Sequence, residues 1–176
     1  HEYAKAQALI DVAAEAGADA IKYQTFAPET IAADVALLQG YDTAHDAWLE
    51  RLGARTLRQL FARGGLPRSW HLPLKQYAEA AGLTFLSTPF SVDDAEFLVH
   101  EIGVPALKIA SGDITFLPLL AYAGETDLPI ILSTGAATEA EIIQALLTIM
   151  PGEVYFGRIA LLHCLSLYPC PLDAVN

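Results

Sequence analysis

Cationic side chains are scarce in this chain. Ten Lys and Arg stand against 21 Asp and Glu, a formal net charge of −11 at pH 7. Binding to a polyphosphate or an anionic lipid surface needs a basic face, so nucleic acid and membrane are excluded as general partners. Cysteine numbers two, Cys164 and Cys170, without the spacing of a zinc site. Reduced thiols in a cytoplasmic protein are the simplest reading, with a disulfide between the two as the alternative. No apolar run reaches the ~18 residues of a membrane span, and residues 1–16 read as a helix rather than a signal peptide. No GxGxxG or GxxxxGK[ST] loop follows a strand pattern, which removes the main support for dinucleotide or P-loop binding.

What is present is a core and a repeated motif. With 176 residues, 53% of them hydrophobic, the chain can bury a sizeable interior and is read as a single domain over residues 1–176. Five short apolar runs each end in polar, chemistry-capable residues: IKYQT at 21–25, FLST at 85–88, LKIASGD at 107–113, IILSTG at 130–135 and ALLHC at 160–164. They are expected to be buried parallel strands, and the C-terminal ends of such strands are where barrel sites assemble. From residue 82 onward the strand centres, near Phe85, Leu107, Ile131 and Leu161, are separated by roughly one βα unit each.

Helix signals lie between the runs. Residues 2–16 carry Leu9, Ile10, Val12 and Ala13 at helical spacing and stop at Gly17, and a strand is expected over 18–23. Residues 26–80 form a long insertion with helical patches around 44–52, 56–63 and 72–81. A further helix starts at Ser91 and ends near Gly103, and Thr138 with Glu141 matches a capping box. Polar residues recur at every strand end, which favours a (β/α) barrel over an open doubly wound sheet, where they would gather at one switch point. A full (β/α)8 TIM-type barrel takes about 250 residues. This chain therefore reads as a partial barrel of about five strands.

Two of the four lysines, Lys22 and Lys108, sit inside apolar strand runs. Either alone could snorkel or pair with a carboxylate, because lysine is rarely buried without a partner. Two at the same end of neighbouring parallel strands point instead to an anion site.

The ordered set IKYQTF, FLSTPF, KIASGD, ILSTG and LLHCLSLYPCP resembles the N-terminal barrel of the sialic acid synthase family, which includes N-acetylneuraminate, legionaminate, pseudaminate and spore-coat polysaccharide synthases. The resemblance spans nearly the whole chain and is weakest over residues 27–80. It implies condensation of phosphoenolpyruvate with an N-acylated amino sugar such as N-acetylmannosamine, giving a nonulosonic acid and phosphate. Lys22 and Lys108 match the family's phosphoenolpyruvate-binding lysines, and Thr88, Ser111 and Ser133 match its hydroxyl donors to phosphate or carboxylate. A strand-end turn or helix cap is the alternative for each hydroxyl taken singly.

Gln24 and Tyr168 match positions facing the acceptor sugar, although Tyr168 could equally anchor the loop before Pro169, and Ser166 matches a ligand-contact position where family members carry Asn or Ser. Asp113 matches a family acid and is either an acid or base at the reacting centre or a cap of the next helix. The resemblance also implies a divalent metal, manganese or magnesium, held by residues outside this chain, and a homodimer. His163 is read as a packed, hydrogen-bonded strand histidine rather than a metal ligand. His1, His45, His71 and His100 lack paired spacing and are read as surface residues.

In the family, a first strand with its Glu and NHNG loop would precede His1. The last strands and a C-terminal antifreeze-like domain would follow Asn176, so the chain is expected to be part of a longer molecule. The alternative to an enzyme is a non-catalytic carbohydrate-binding or scaffold relative. Deoxy-octulosonate and deoxy-heptulosonate phosphate synthases share phosphoenolpyruvate and the barrel, but not the KIASGD and HCxSxYP pairing.

Overall fold

The computed structural model describes residues 2–32, 51, 53–152, 157–166 and 170–175. Helix α1 (Tyr3–Glu15) leads into strand β1 (Ala20–Thr25). Short α2 (Pro28–Ile31), α3 (Leu57–Gly64) and α4 (Arg68–Ala80) precede β2 (Thr84–Pro89). The rest alternates as α5 (Val92–Glu96), β3 (Leu107–Ile109), α6 (Leu117–Glu125), β4 (Ile130–Ser133), α7 (Glu139–Ile149) and β5 (Ile159–Leu162). All five expected strands form. Of the helical patch at 44–52, all but residue 51 lies outside the described residues. No helix among those described is long and apolar enough to cross a membrane.

The strands β1 to β5 pair only in parallel. β1 pairs with β2 from Ala20↔Thr84 to Thr25↔Pro89, and β4 sits between β3 and β5, with Ile130 opposite both Leu107 and Ile159. These are two ladders, β1-β2 and β3-β4-β5, and they do not close into a barrel among the described residues. The fold is mixed α/β with helices packed against the strands. Its core joins Ile10, Leu74, Phe85, Leu107, Leu119 and Leu132, each at most 1% exposed. Burying such a side chain stabilises by roughly 1.5–3 kcal/mol.

Local sequence explains the element ends. Gly17 takes φ +74, the left-handed conformation that closes α1. The Thr138 side chain accepts from Glu141 N while Glu141 Oε2 accepts from Thr138 N at 2.7 Å, so the capping box forms as expected. Ser91 caps α5 through a 3.0 Å bond from Asp94 N. Beyond Glu96 the expected single α-helix gives way to a π-helical segment, Phe97–Ile102, before Gly103. Its i→i+5 repeat brings Phe97 and Ile102 to the same buried side, which continued α-helical winding would not do.

Three expectations are corrected by packing. On α1 the side chains that meet the sheet are Ala6 and Ile10, one i,i+4 row, while Leu9 and Val12 are 58% and 62% exposed. The strands are not uniformly buried. β3 is buried throughout, but β1 alternates and β5 is largely exposed, because β2 and β3 pack side by side while no described strand flanks the outer side of β1 or β5. His71, expected at the surface, is 0% exposed inside α4, since that helix turns it toward β1 and β2.

Helices α6 and α7 approach so closely at Gly124 that a Cβ there would meet the Ile149 carbonyl oxygen. Arg158 fastens the same corner, donating from Nη2 to Gly124 O at 2.8 Å and from Nη1 to Thr126 O at 2.6 Å and Leu128 O at 3.0 Å. The obstructing atoms are backbone and cannot yield by a rotamer change. Gly124→Ala is therefore expected to destabilise by about 1–3 kcal/mol, read as a lowered urea midpoint at unchanged slope.

Candidate functional site

Parallel β1 and β2 place their polar residues in register. Gln24 stands opposite Thr88, and Lys22, two residues before Gln24, reaches along the same face, its Nζ donating to Thr88 Oγ1 at 3.3 Å. In the second ladder Lys108, in the middle of β3, is only 7% exposed. Its Nζ donates to Ser133 Oγ at 2.5 Å and to Ile109 O at 2.6 Å, which leaves one of its three N–H groups for another partner. The loop after β4 folds onto the turn after β3, where Gly135 N donates to Ser111 Oγ at 2.9 Å.

Gly135 is enclosed. A Cβ there would lie 3.0 Å from Ser111 Oγ, 3.1 Å from Ser166 Oγ and 3.3 Å from Cys164 Cβ. The end of β5 thus contributes Ser166 and Cys164 to the cluster. Lys22 and Gln24 also line an open cleft of about 680 Å³ shared with Tyr23, Lys5, Arg63 and Trp70.

Electrostatics ties the parts together. Burial, and then the positive charge of Lys22, pull the Lys108 pKa down to about 8, against the opposing influence of Cys164 and Asp113. Burial lowers the pKa of Lys22 as well. Burial pushes Asp113 up to about 6, with Lys108 pulling the other way. Ion pairs of the described residues occur at Lys5–Glu2, Arg68–Asp93, Arg68–Asp94 and Lys75–Glu79, so neither Lys22 nor Lys108 is paired with a carboxylate there.

The hydroxyls share one property. Thr88 and Ser133 accept from lysines and Ser111 accepts from a backbone N–H, which leaves each O–H to donate elsewhere. Two ammonium groups and three such hydroxyls make a site suited to a small multivalent anion. None of the three hydroxyls caps a helix. Nor does Asp113, whose Oδ2 is buried without a partner while α6 begins without a side-chain cap.

Contacts thus join Lys22 with Thr88 beside Gln24, Lys108 with Ser133, and Ser111 and Ser166 around Gly135, while Lys108 feels the charges of Lys22 and Asp113. Tyr168, His1 and His45 lie outside the described residues. His163, expected to be packed, is exposed instead, because it follows edge strand β5, whose residues are themselves largely uncovered. Among the described residues no three His, Cys, Asp or Glu side chains converge on a possible metal position, and both cysteines are free.

Sequence reasoning missed a second polar group on the helix side of the same strands. Thr25 Oγ1 lies 2.7 Å from both His71 Nε2 and Ser87 Oγ, all three residues being buried. The available signal was strand alternation, since Thr25 and Ser87 are polar at positions facing the helices.

Comparison with known proteins places these observations in context. The profile described as NeuB family matches residues 9–176. N,N'-diacetyllegionaminic acid synthase of Campylobacter jejuni is 34% identical over 97% of this chain and 49% of its own length. The spore coat polysaccharide biosynthesis protein SpsE of Bacillus subtilis is 36% identical over 98% of this chain and 43% of its own. The crystal structure of N-acetylneuraminic acid (sialic acid) synthetase from Leptospira borgpetersenii, in complex with citrate, superposes with a TM-score of 0.75 at 31% identity, covering 97% of this chain and 52% of that one. The chain spans about half the length of the curated relatives it matches.

The depressed pKa of Lys108 gives the cluster a pH signature. A base with pKa about 8 is cationic below that value and neutral above it. Affinity for sulfate, whose charge is constant over this range, is therefore expected to fall as pH rises through about 8, as followed by calorimetry. Lys108→Met removes this dependence. A profile flat to about pH 10 would mean that Lys108 does not carry the charge.

Proposed function

The chain belongs to the NeuB family, and from that premise we propose that it forms the phosphoenolpyruvate-binding part of a nonulosonic acid synthase. Family membership supports an enzyme of sialic or nonulosonic acid and polysaccharide biosynthesis. The observation that carries the finer reading is the pair of lysines, unpaired with carboxylates among the described residues, beside hydroxyls whose O–H groups are all left to donate. Phosphoenolpyruvate presents a phosphate and a carboxylate on one small frame, and such donors, already held in place, meet both without reorganisation.

In the proposed reaction C3 of phosphoenolpyruvate forms a carbon–carbon bond to the aldehyde carbon of an N-acylated amino sugar such as N-acetylmannosamine. Water adds at C2, and the C2 oxygen linkage to phosphate breaks, leaving a 2-keto acid and inorganic phosphate. Lys22, Lys108, Thr88, Ser111 and Ser133 hold the phosphate and carboxylate. Asp113, with its pKa raised to about 6 beside Lys108, is suited to take up or return a proton near neutrality. Gln24, Ser166 and Tyr168 face the acceptor; Gln24 offers both donor and acceptor to sugar hydroxyls.

The proposal extends to the whole protein. The two parallel ladders are part of a (β/α)8 barrel, residues 1–176 being an incomplete barrel domain to which an antifreeze-like domain is added C-terminally. The protein works as a cytoplasmic homodimer. The described residues do not fit a divalent metal, since no three ligating side chains converge among them. Manganese or magnesium belongs to this reading through ligands outside this chain.

The test uses the full-length protein. Phosphate release from phosphoenolpyruvate is expected to depend on added amino sugar, and its absence with every N-acylated amino sugar tried would favour a non-catalytic carbohydrate-binding or scaffold role. Lys108→Ala is expected to weaken phosphoenolpyruvate binding by about 100-fold or more while the circular dichroism spectrum is kept, and Lys22→Ala to behave similarly. Near-normal binding in a folded Lys108→Ala protein would overturn the assignment.

A further inference from the structure

Three fully enclosed polar side chains lie on the face of β1 and β2 opposite the anion cluster. Thr25 is 1% exposed, and His71 and Ser87 are 0% exposed. The direction of their bonds follows from the partners. His71 Nδ1 lies 3.1 Å from Pro67 O, which can only accept, so Nδ1 carries the proton and Nε2 of the neutral ring is an acceptor. The Thr25 hydroxyl donates to Nε2 at 2.7 Å and is in turn the acceptor for the Ser87 hydroxyl at 2.7 Å. Edge contacts with Phe97 at 5.1 Å and Phe85 at 6.4 Å hold the imidazole in place.

Stability alone gives little reason for such a chain of bonds. Replacing hydrogen-bonded partners together by apolar groups of the same shape is close to neutral, whereas directional bonds specify one arrangement of the elements they join. The elements here are α4, β1 and β2. Thr25 directly follows Gln24, Ser87 directly precedes Thr88, and Gln24 and Thr88 are register partners. Successive strand side chains point to opposite faces. Tying Thr25 and Ser87 on the helix side therefore fixes the peptides that aim Gln24 and Thr88 on the open side, and Thr88 is the residue that receives Lys22.

We propose that His71 is a positioning residue of the anion site, acting through Thr25 and Ser87 to hold the β1 and β2 ends at the separation and rotation that bring Thr88 and Lys22 to the ligand. The ligand used in the test rests on the phosphoenolpyruvate reading above. His71 touches no substrate. Thr88 and Lys22 hold the substrate anion equally in ground and transition states, so their displacement raises KM and leaves kcat largely unchanged.

Two substitutions in the full-length protein separate positioning from mere support. In His71→Gln the side-chain amide reaches the place of Nε2 and keeps the bond to Thr25. In His71→Asn it reaches only the place of Nδ1 and loses that bond. The expected result is a phosphoenolpyruvate KM within about threefold of wild type for Gln and raised about tenfold for Asn, with kcat within about threefold in both. Equal KM changes in the two variants, or none in either, would overturn the inference. Direct titration with phosphoenolpyruvate distinguishes the two levels of failure. No binding by the wild type removes the phosphoenolpyruvate reading and this inference with it, whereas equal binding by wild type, Gln and Asn removes the inference alone. Should His71→Asn fail to fold, Ser87→Ala, which deletes one hydroxyl, is expected to raise KM about tenfold, and a KM within about threefold of wild type would overturn the proposal.

Discussion

A lysine ammonium held within a buried strand is the constraint on which the rest of this structure depends. All three residues of β3 are buried, and Lys108 sits in the middle of them. An ammonium there loses water and must be met by acceptors, which Ser133 and the Ile109 carbonyl supply. Among the described residues no carboxylate forms an ion pair with it; Asp113 and Cys164 offset its burial only in part, and Lys22 opposes it. The cluster thus retains unspent positive potential in a chain whose net charge is strongly negative, and that potential is what a small anion would bind.

The same strands separate two kinds of polar chemistry by face. On the open side the donors are left with capacity to spare. On the helix side Thr25, Ser87 and His71 bond in a chain, and Pro67 O takes the remaining proton of the ring. Burial also lowers the His71 pKa, which keeps the ring in the neutral form that this bonding requires. A site that needs open donors has to rest on a layer that needs nothing further, because an unsatisfied group in that layer would cost about 1–3 kcal/mol and loosen the strand ends.

Much of this was legible in the residues. Five strands, the Gly17 stop, the Ser91 helix start and the Thr138–Glu141 box follow from short-range rules, and all appear. Strand placement singled out Lys22 and Lys108, whereas Thr88, Ser111 and Ser133 were picked out only by the family resemblance. What escaped was decided by packing direction. Spacing alone does not say which of Ile10, Leu9 and Val12 meets the sheet, nor that α4 turns His71 inward. It also does not show that β5 lies at an edge and leaves His163 exposed.

The sequence by itself determined the alternation of strand and helix, the shortage of cations and the placement of two of them inside apolar runs, because periodicity and composition act over a few residues. Tertiary structure alone decided which hydroxyls accept and so keep an O–H to donate, how far the pKa values of Lys108 and Asp113 move, and which histidine is structural. Those properties depend on atoms from strands and helices tens of residues apart, brought within hydrogen-bonding distance only when the ladders and helices pack.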